Sequence, residues 1–293
     1  MTTQTRPTSK AVKSSLHERV TQKIVAQLKE GTPPWVKPWS CTSVSGVPRN
    51  YVSNRPYSGV NVLLTWLSAL EQGFSDTRWL TANQITQLGG SFKGQSATRI
   101  VFTKQHTREP GTDDEETFFV QRLYNVFNAE QVSGIDLEPE REPLPFTARL
   151  PELDAFVAAQ GVPITHGGDK AFYNLTRDAI VLPHPGTFIS PEAYYAVALH
   201  ELVHASGHPE RLARPMGKRE SYEYFVEELV AELGAAMVCA EFSLTCSHHA
   251  GYLAAWIELM ESDTKIIFTA AREAGRAAEY LKAAAAKPQL AAA

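Results

Sequence analysis

The chain has 293 residues, with 28 Lys and Arg against 32 Asp and Glu and a formal net charge of −4. The charge is unevenly distributed: residues 1–110 hold 14 basic and 5 acidic side chains, whereas residues 111–293 hold 14 basic and 27 acidic ones. The first part is therefore basic (+9) and the second acidic (−13). Such a division is typical of a segment that binds a polyanion joined to a domain with another task.

Composition also excludes several classes of protein. No apolar run approaches the roughly 18 residues that a membrane span needs, and the first residues lack the apolar stretch of a signal peptide. We therefore expect a cytoplasmic protein without membrane contact. The three cysteines, Cys41, Cys239 and Cys246, are far apart and form no CxxC pair, which excludes a disulfide framework and a cysteine zinc cluster. Buried, inert thiols are expected.

The first 130 residues predict a mixture of helices and strands. A capping box at Ser15 and Glu18 opens the first helix, which ends before Gly31. Its apolar residues recur every fourth position, at Leu16, Val20, Ile24 and Leu28. A second helix is predicted over 61–70, a short third helix behind a capping box at Thr81 and Gln84, and strands over 98–102 and 117–127.

A stretch rich in Pro and Glu, residues 137–145, predicts an exposed linker. We expect an α+β protein of two domains, each with its own core: residues 1–130, a linker over 131–147, and residues 148–293. The second domain predicts a helix over 153–160 and strands over 164–166 and 179–182. Three helices follow, over 190–206, 221–242 and 252–282, the first with Ser190 as N-cap.

The first of these three helices contains an HExxH motif, His200-Glu201-Leu202-Val203-His204. Residues four apart share one helical face, so both imidazoles can bind one metal ion while Glu201 reaches a water on that metal. Histidine ligands with an open position favour zinc, although manganese, cobalt and nickel accept the same donors. Zinc acidifies its water, Glu201 acts as the base, and peptide hydrolysis is the expected reaction.

Two positions compete for the third metal ligand. In the pattern HExxHxxGxxH, Glu210 stands where the third histidine is required, and His208 is two places out of register. The alternative is the EELVAE segment of the next helix, where Glu228 and Glu232 lie four apart on one face. We expect Glu228 to bind the metal and Glu232 to accept a hydrogen bond from the free N–H of a ligating histidine. Glu227 is expected to be solvated.

A donor for the oxyanion of the transition state is also expected. The sequence does not choose among four candidates: His166, Tyr173, Tyr194 and Tyr222.

The basic part of the chain combines cations with aromatic residues, the combination that single-stranded nucleic acid requires for its phosphates and unpaired bases. Trp66 lies in an apolar run and is expected in the core. For the other tryptophans, packing in the core and stacking on bases are equal alternatives. The candidate contact residues are Trp35, Lys37, Trp39, Arg49, Tyr51, Arg55, Tyr57, Lys93 and Arg99.

The sequence resembles the ArdC antirestriction family over about residues 14–280. The resemblance rests on PPWVKPW, RPYSGVNVLLTW, LYNVFNAEQV, HGGDKAFYNLTRDAIVLP, HELVHASGHPERLAR and EELVAELGAAMVCAE. It implies a single-stranded-DNA-binding domain followed by a zincin-like metallopeptidase domain, which together protect incoming plasmid DNA from restriction. It also implies His200 and His204 as ligands, Glu201 as the catalytic residue and Glu228 as the third ligand.

Two functions follow. In the first, the basic part holds single-stranded DNA and the acidic part cleaves a protein, such as a component of a restriction system. In the second, the chain is a non-catalytic DNA-binding module with a structural or vestigial metal site. A DNA-processing hydrolase is a weaker third interpretation.

Overall fold

The computed structural model describes residues 15–31, 33–35, 46–108, 116–137, 146–246 and 250–286. Helices and strands mix in both halves of the chain, which confirms the predicted α+β class. Within these ranges, no helix has the length and apolarity that crossing a membrane requires.

Three helices of the first half begin close to where the sequence predicts them. They are α1 (Leu16–Lys29), α2 (Val60–Gln72) and α3 (Ala82–Gln87). Both predicted capping boxes form, because the Ser15 and Thr81 side chains each accept from the backbone N–H three residues on, and Glu18 and Gln84 bond back.

A four-stranded sheet completes the first half, in the order β1-β2-β4-β3. Its strands are β1 (Arg49–Asn50), β2 (Arg78–Thr81), β3 (Thr98–Arg108) and β4 (Glu116–Asn128). β1 pairs with β2 in parallel, whereas β3 and β4 form an antiparallel hairpin. β3 continues six residues beyond its predicted end, because the polar residues after Phe102 still pair with β4.

The second half begins with α4 (Phe146–Ala158), which starts earlier than predicted. A three-stranded sheet follows, in the order β5-β7-β6. Its strands are β5 (Ile164–His166), β6 (Phe172–Asn174) and β7 (Ala179–Leu182). β5 and β7 match the predicted strands. β6 is not among the predicted strands.

Four further helices form most of the core: α5 (Pro191–Ser206), α6 (Tyr222–Glu241), α7 (Leu253–Ser262) and α8 (Ile266–Ala286). The prediction of one helix over 252–282 is wrong, because the chain breaks at residues 263–265. There the backbone N–H of Lys265 donates to the Asp263 side chain, and that of Ile266 to the Asp263 carbonyl. Short 3₁₀ helices cover Ala129–Gln131, Pro185–Thr187 and Ala250–Tyr252.

One hydrophobic core runs through both halves, in place of two separate cores. Helix α1 packs against α7, and α2 contacts α8. Trp35 is 2% exposed and meets Trp256 edge to face, with 6.0 Å between ring centroids. Residues 132–137 also pack, against a small cluster around Phe127, so the packed chain continues beyond residue 130.

Candidate metal centre

Helix α5 carries the HExxH motif in its last two turns. The Ser190 hydroxyl accepts from the N–H of Ala193, and Pro191 occupies the first turn, so the helix begins as predicted. His200 and Glu201 are each only 5% exposed, whereas His204 is half-buried. The rings of His200 and His204 lie 4.8 Å apart, nearly perpendicular to each other. One face of α5 therefore presents both imidazoles at a single point.

Helix α6 brings Glu228 to the same point. Its two carboxylate oxygens lie 3.7 Å from His200 Nε2 and 3.8 Å from His204 Nε2. These three residues each offer one ligand atom, and the three atoms lie within 4.8 Å of one another. Glu210, the alternative third ligand, is exposed and lies outside this cluster. Of the two positions that the sequence left open, the structure thus assembles the one on α6.

The donor set fits a divalent metal ion. Ligand atoms around a tetrahedral zinc lie about 3.4 Å apart, because zinc takes nitrogen and oxygen at about 2.0–2.1 Å. The observed separations of 3.7 and 3.8 Å are close to this value. Two imidazoles and one carboxylate leave a fourth position open, which is the mark of catalytic rather than structural sites.

A second carboxylate lies behind each histidine ring. Glu227 Oε1 is 3.2 Å from His204 Nδ1, within hydrogen-bonding distance. Glu232 Oε2 is 3.8 Å from His200 Nδ1, close but beyond a direct hydrogen bond. Both carboxylates face the ring nitrogen that points away from Glu228, so they can hold each imidazole in the tautomer that binds metal.

The expectation that Glu227 is solvated is wrong. Its side chain is 4% exposed, and it accepts two hydrogen bonds from Arg214, one from Nε at 2.8 Å and one from Nη2 at 2.7 Å. Arg214 also donates to the Val203 carbonyl and the Ser206 hydroxyl, at the end of α5. The sequence contains no local signal for this ion pair, since Arg214 lies in the connection between α5 and α6.

The pKa shifts reflect the alternation of acids and imidazoles. Burial lowers the pKa of His204, but its interactions with the Glu227 and Glu228 carboxylates, the first a hydrogen bond that Glu227 accepts, outweigh burial and raise the pKa to about 10. For Glu228 the opposite holds: burial raises its pKa, and the two histidines hold it well below its ordinary value. His204 and the surrounding carboxylates therefore balance each other's charge, and a divalent cation that binds here would displace the proton of His204.

A cleft of about 410 Å³ opens onto these residues. Of the four oxyanion candidates, Tyr173 is the one that lines this cleft. His166 and Tyr194 do not line it and form a hydrogen bond with each other at 3.0 Å. Tyr222 does not line it either, and its side chain is 49% exposed.

Two tyrosines that the sequence did not predict at the site, Tyr224 and Tyr252, line the cleft with their hydroxyls 2.7 Å apart. Tyr224 lies one helical turn before Glu228, a spacing that could have revealed it.

An ion pair holds the edge strand β6 beside the cleft. Asp178 lies in the turn between β6 and β7, pairs with the Arg211 guanidinium and accepts from the Tyr173 hydroxyl at 2.6 Å. Arg211 Nε also donates to the Ala205 carbonyl at 2.6 Å. Hydrogen bonds from Arg211 lower the pKa of Asp178 to about 2. The connection after α5 thus fastens the small sheet to the metal-site helix.

The match to known families covers both halves of the chain. Residues 14–127 match the family described as the N-terminal domain of anti-restriction factor ArdC, and residues 151–273 match the zincin-like metallopeptidases. The metal-free crystal structure of the antirestriction protein ArdC from plasmid R388 is 36% identical, with a TM-score of 0.80, and the match covers 93% of this chain and 98% of that one. This chain belongs to the ArdC antirestriction family.

Further relatives of this ArdC family member are similar over most of the chain. The Mn(II)-bound structure of the R388 protein matches equally well, covering 94% of this chain and all of that one. The protein y4eC of Sinorhizobium fredii is 36% identical over 92% of both chains. Two DNA primases TraC of Escherichia coli are 33% and 34% identical over most of this chain, which spans only 20% and 27% of their lengths.

Charge and aromatic content predicted the DNA contacts in the first half, and the structure corrects part of that list. Trp35 and Tyr57 are buried, at 2% and 9% exposure, so neither presents a ring face for stacking. Both were chosen by composition, which does not distinguish a core aromatic from a surface one. Trp66 is buried as predicted. Lys37 and Trp39 lie outside the described residues, as does Cys41.

The remaining candidates keep some exposure. Tyr51 and Arg49 are half-buried, and the Arg78 guanidinium lies 5.5 Å from the Tyr51 ring centroid. Arg55, Lys93 and Arg99 are exposed. The structure does not gather these residues into one surface: Arg55 and Tyr57 line one cleft, and Arg99 lines another.

The two described cysteines, Cys239 and Cys246, are free and buried. A hydrogen bond with Cys239, together with burial, raises the pKa of the Cys246 thiol well above its ordinary value. This agrees with the expected inert thiols.

Proposed function

We propose that this chain is an antirestriction protein that binds single-stranded DNA and carries a zinc-dependent peptidase, and that it protects incoming plasmid DNA from restriction in the cytoplasm of a new host. The protein that it cleaves is, in this proposal, one that acts near the DNA, such as a component of a restriction system. Membership of the ArdC family supports the antirestriction part of the proposal.

The observation that carries the peptidase proposal is the meeting of four side chains in one open cleft. His200, His204 and Glu228 converge on one point, and Glu201 lines the same cleft. A site that served only to hold a metal would not need a buried carboxylate left over beside an open coordination position.

The residues have separate tasks in peptide hydrolysis. His200, His204 and Glu228 would hold the zinc, which when bound polarises a carbonyl and acidifies water. The Glu201 carboxylate takes the proton from the attacking water and passes it to the amine that leaves. Tyr224 and Tyr252 present hydroxyls to the same cleft, and a hydroxyl there can donate to the developing oxyanion.

Single-stranded DNA is the proposed partner of the basic half. Residues 1–110 carry a net charge of +9, which suits a phosphate backbone, whereas the excess of acids in residues 111–293 repels it. The metal centre lies in the acidic half, so the proposal assigns DNA binding and protein cleavage to different surfaces of one molecule.

The test is a Glu201→Gln variant, with Glu210→Gln as the control because Glu210 is exposed and lies outside the cluster. We expect Glu201→Gln to bind zinc and single-stranded DNA as the wild type does. Its rate of cleavage of a peptide library should fall at least about 100-fold, which is the scale of general-base catalysis. Mass spectrometry of the products and metal analysis measure the two properties.

Cleavage at the wild-type rate by Glu201→Gln would contradict the peptidase assignment. A conjugation assay with a restricting recipient then tests the biological role. We expect Glu201→Gln to lose protection while it keeps DNA affinity. Full protection by this variant would instead favour the non-catalytic binding module.

A further inference from the structure

A second cleft lies in the first half of the chain, between the turn after β1 and one face of the β3–β4 hairpin. Its volume is about 680 Å³. Residues from both sides line it, among them Asn50, Arg55, Tyr57, Thr81, Phe102 and Tyr124. None of the described residues that line this cleft is acidic.

Two aromatic rings are exposed at this cleft. Phe102 is 50% and Tyr124 is 42% exposed, and their rings meet edge to face with 5.3 Å between centroids. Ile100 lies opposite Tyr124 in the register, and Phe102 opposite Arg122, so these side chains share one face of the hairpin. Large aromatic rings that are exposed to water beside a cleft indicate a surface that binds a ligand with an apolar or aromatic face.

Cations flank the rings. Arg55 lines the cleft and is exposed, and Arg122 is exposed directly across the hairpin from Phe102. Within the described part of the chain, neither guanidinium takes part in an ion pair. Two guanidinium groups that form no ion pair among the described residues are complementary to a phosphodiester chain, and the predicted first domain that carries them, residues 1–130, holds 15 basic and 10 acidic side chains.

The wall opposite the rings is rigid. The Asn50 side chain donates to the Trp79 carbonyl and to Gln84, and it accepts from the backbone N–H of Ser53. The turn that carries Arg55 is therefore fastened to β2 and α3. A preformed wall lowers the entropy lost on binding.

We propose that this cleft is a base-binding site for single-stranded DNA, in which an unpaired base stacks on Phe102 and Tyr124 while Arg55 and Arg122 contact the flanking phosphates. The inference rests on the proposed function in so far as that function includes binding of single-stranded DNA. It replaces the buried Trp35 and Tyr57 as stacking residues with two aromatics of the hairpin. Duplex DNA offers no unpaired base and is expected to bind more weakly.

The test measures fluorescence anisotropy of a labelled 20-nucleotide oligothymidylate with the full-length chain. We expect Phe102→Ala and Tyr124→Ala each to weaken binding about 10-fold, since loss of one stacked base commonly has an effect of that order. Tyr124→Phe keeps a ring and is expected to bind like the wild type. Tyr222→Ala, at a tyrosine of comparable exposure in the acidic half, is the matched control.

The arginines give an independent readout. Arg55→Ala and Arg122→Ala are each expected to reduce the slope of log affinity against log salt by about 0.7, as for the loss of one phosphate contact on a single strand. Arg177→Ala, an exposed arginine of the acidic half, should leave the slope unchanged. Circular dichroism verifies that each variant is folded.

The possible outcomes distinguish an error in the location of the site from an error in the proposed DNA binding. If the wild type binds the oligonucleotide and the four alanine variants of the cleft bind it equally well, the site assignment is overturned and DNA binding stands. If the folded wild type does not bind it, both are overturned. Weaker binding by the cleft variants, with unchanged binding by Tyr222→Ala and Tyr124→Phe, supports the site.

Discussion

His204 lies between two carboxylates, one on each side of its ring. Its Nε2 faces Glu228 at 3.8 Å, and its Nδ1 faces Glu227 at 3.2 Å. Because Glu227 also forms a buried ion pair with Arg214, the position of the ring depends on a residue in the connection after α5. Arg214 thus acts on the metal site through Glu227, without contacting the proposed ligand atoms.

The first prediction concerns this support. Glu227→Gln removes the charge that faces His204 and Arg214 and keeps the size of the side chain. We expect its zinc affinity, measured by competition with a chelator, to fall about 10–100-fold, the usual effect of losing a carboxylate behind a ligating histidine. Glu223→Gln, on the exposed part of the same helix, should keep wild-type affinity.

Unchanged zinc affinity in a folded Glu227→Gln protein would contradict this role. A loss of stability is also expected, because Arg214 would lose a charged partner in a buried position. Thermal unfolding of the metal-free variant separates this effect from metal binding.

Residues of the site differ in how well the sequence reveals them. His200, Glu201 and His204 follow from a spacing within one helix, and Glu228 and Glu232 from the same periodicity in the next one. Arg214 and Tyr252 reach the site only through tertiary packing, so no local pattern identifies them. Trp35 shows the opposite case, because composition alone does not tell whether a tryptophan is exposed or buried. Its burial follows from the contact with Trp256, which only the fold reveals.

At the scale of elements, the helices α5 and α6 determine whether the site exists. They cross closely at Gly234, where a Cβ atom would lie 2.8 Å from a Val203 methyl group. Val203 belongs to the HExxH segment, between the two histidines. A glycine on α6 therefore lets Glu228 approach the imidazoles.

The second prediction is that Gly234→Ala lowers the melting temperature by about 2–4 °C, equivalent to about 1 kcal/mol. The added methyl group gains about 1 kcal/mol of helix propensity but overpacks the crossing by about 1–3 kcal/mol. Gly251→Ala, where a Cβ atom would meet nothing within 4 Å, is the control.

A double-mutant cycle identifies the cause. Val203→Ala makes room at the crossing, so Gly234→Ala combined with Val203→Ala should destabilise by less than the sum of the single effects, by at least about 0.5 kcal/mol. Additive effects would show that the crossing is not limited by this contact.

Element boundaries follow the sequence where capping chemistry is local. Ser15, Thr81, Ser190 and Ser221 each open a helix as N-cap. The break between α7 and α8 was missed because apolar residues recur at helical spacing on both sides of it. The break is caused by a short turn at Asp263, whose sequence signal is weaker than the helical spacing of the apolar residues around it.

At the scale of the whole molecule, the uneven charge belongs to two halves that share one hydrophobic core. Composition indicates two domains but not how they pack, since any apolar residue can serve either core. The contacts of α1 with α7 and of α2 with α8 join the basic half to the helices of the metal site. A shared core keeps the proposed DNA cleft and the metal centre in one molecule of fixed geometry.

We expect a divalent metal ion to bind between α5 and α6 and to leave the Glu201 carboxylate uncoordinated. The most direct measurement is a crystal structure of the zinc-loaded protein with anomalous scattering at the zinc edge. We expect one zinc ion at about 2.0–2.2 Å from His200 Nε2, His204 Nε2 and one Glu228 oxygen. A fully loaded zinc ion held by Glu201, Glu227 or Glu232 in place of Glu228, or one bound elsewhere, would contradict the account.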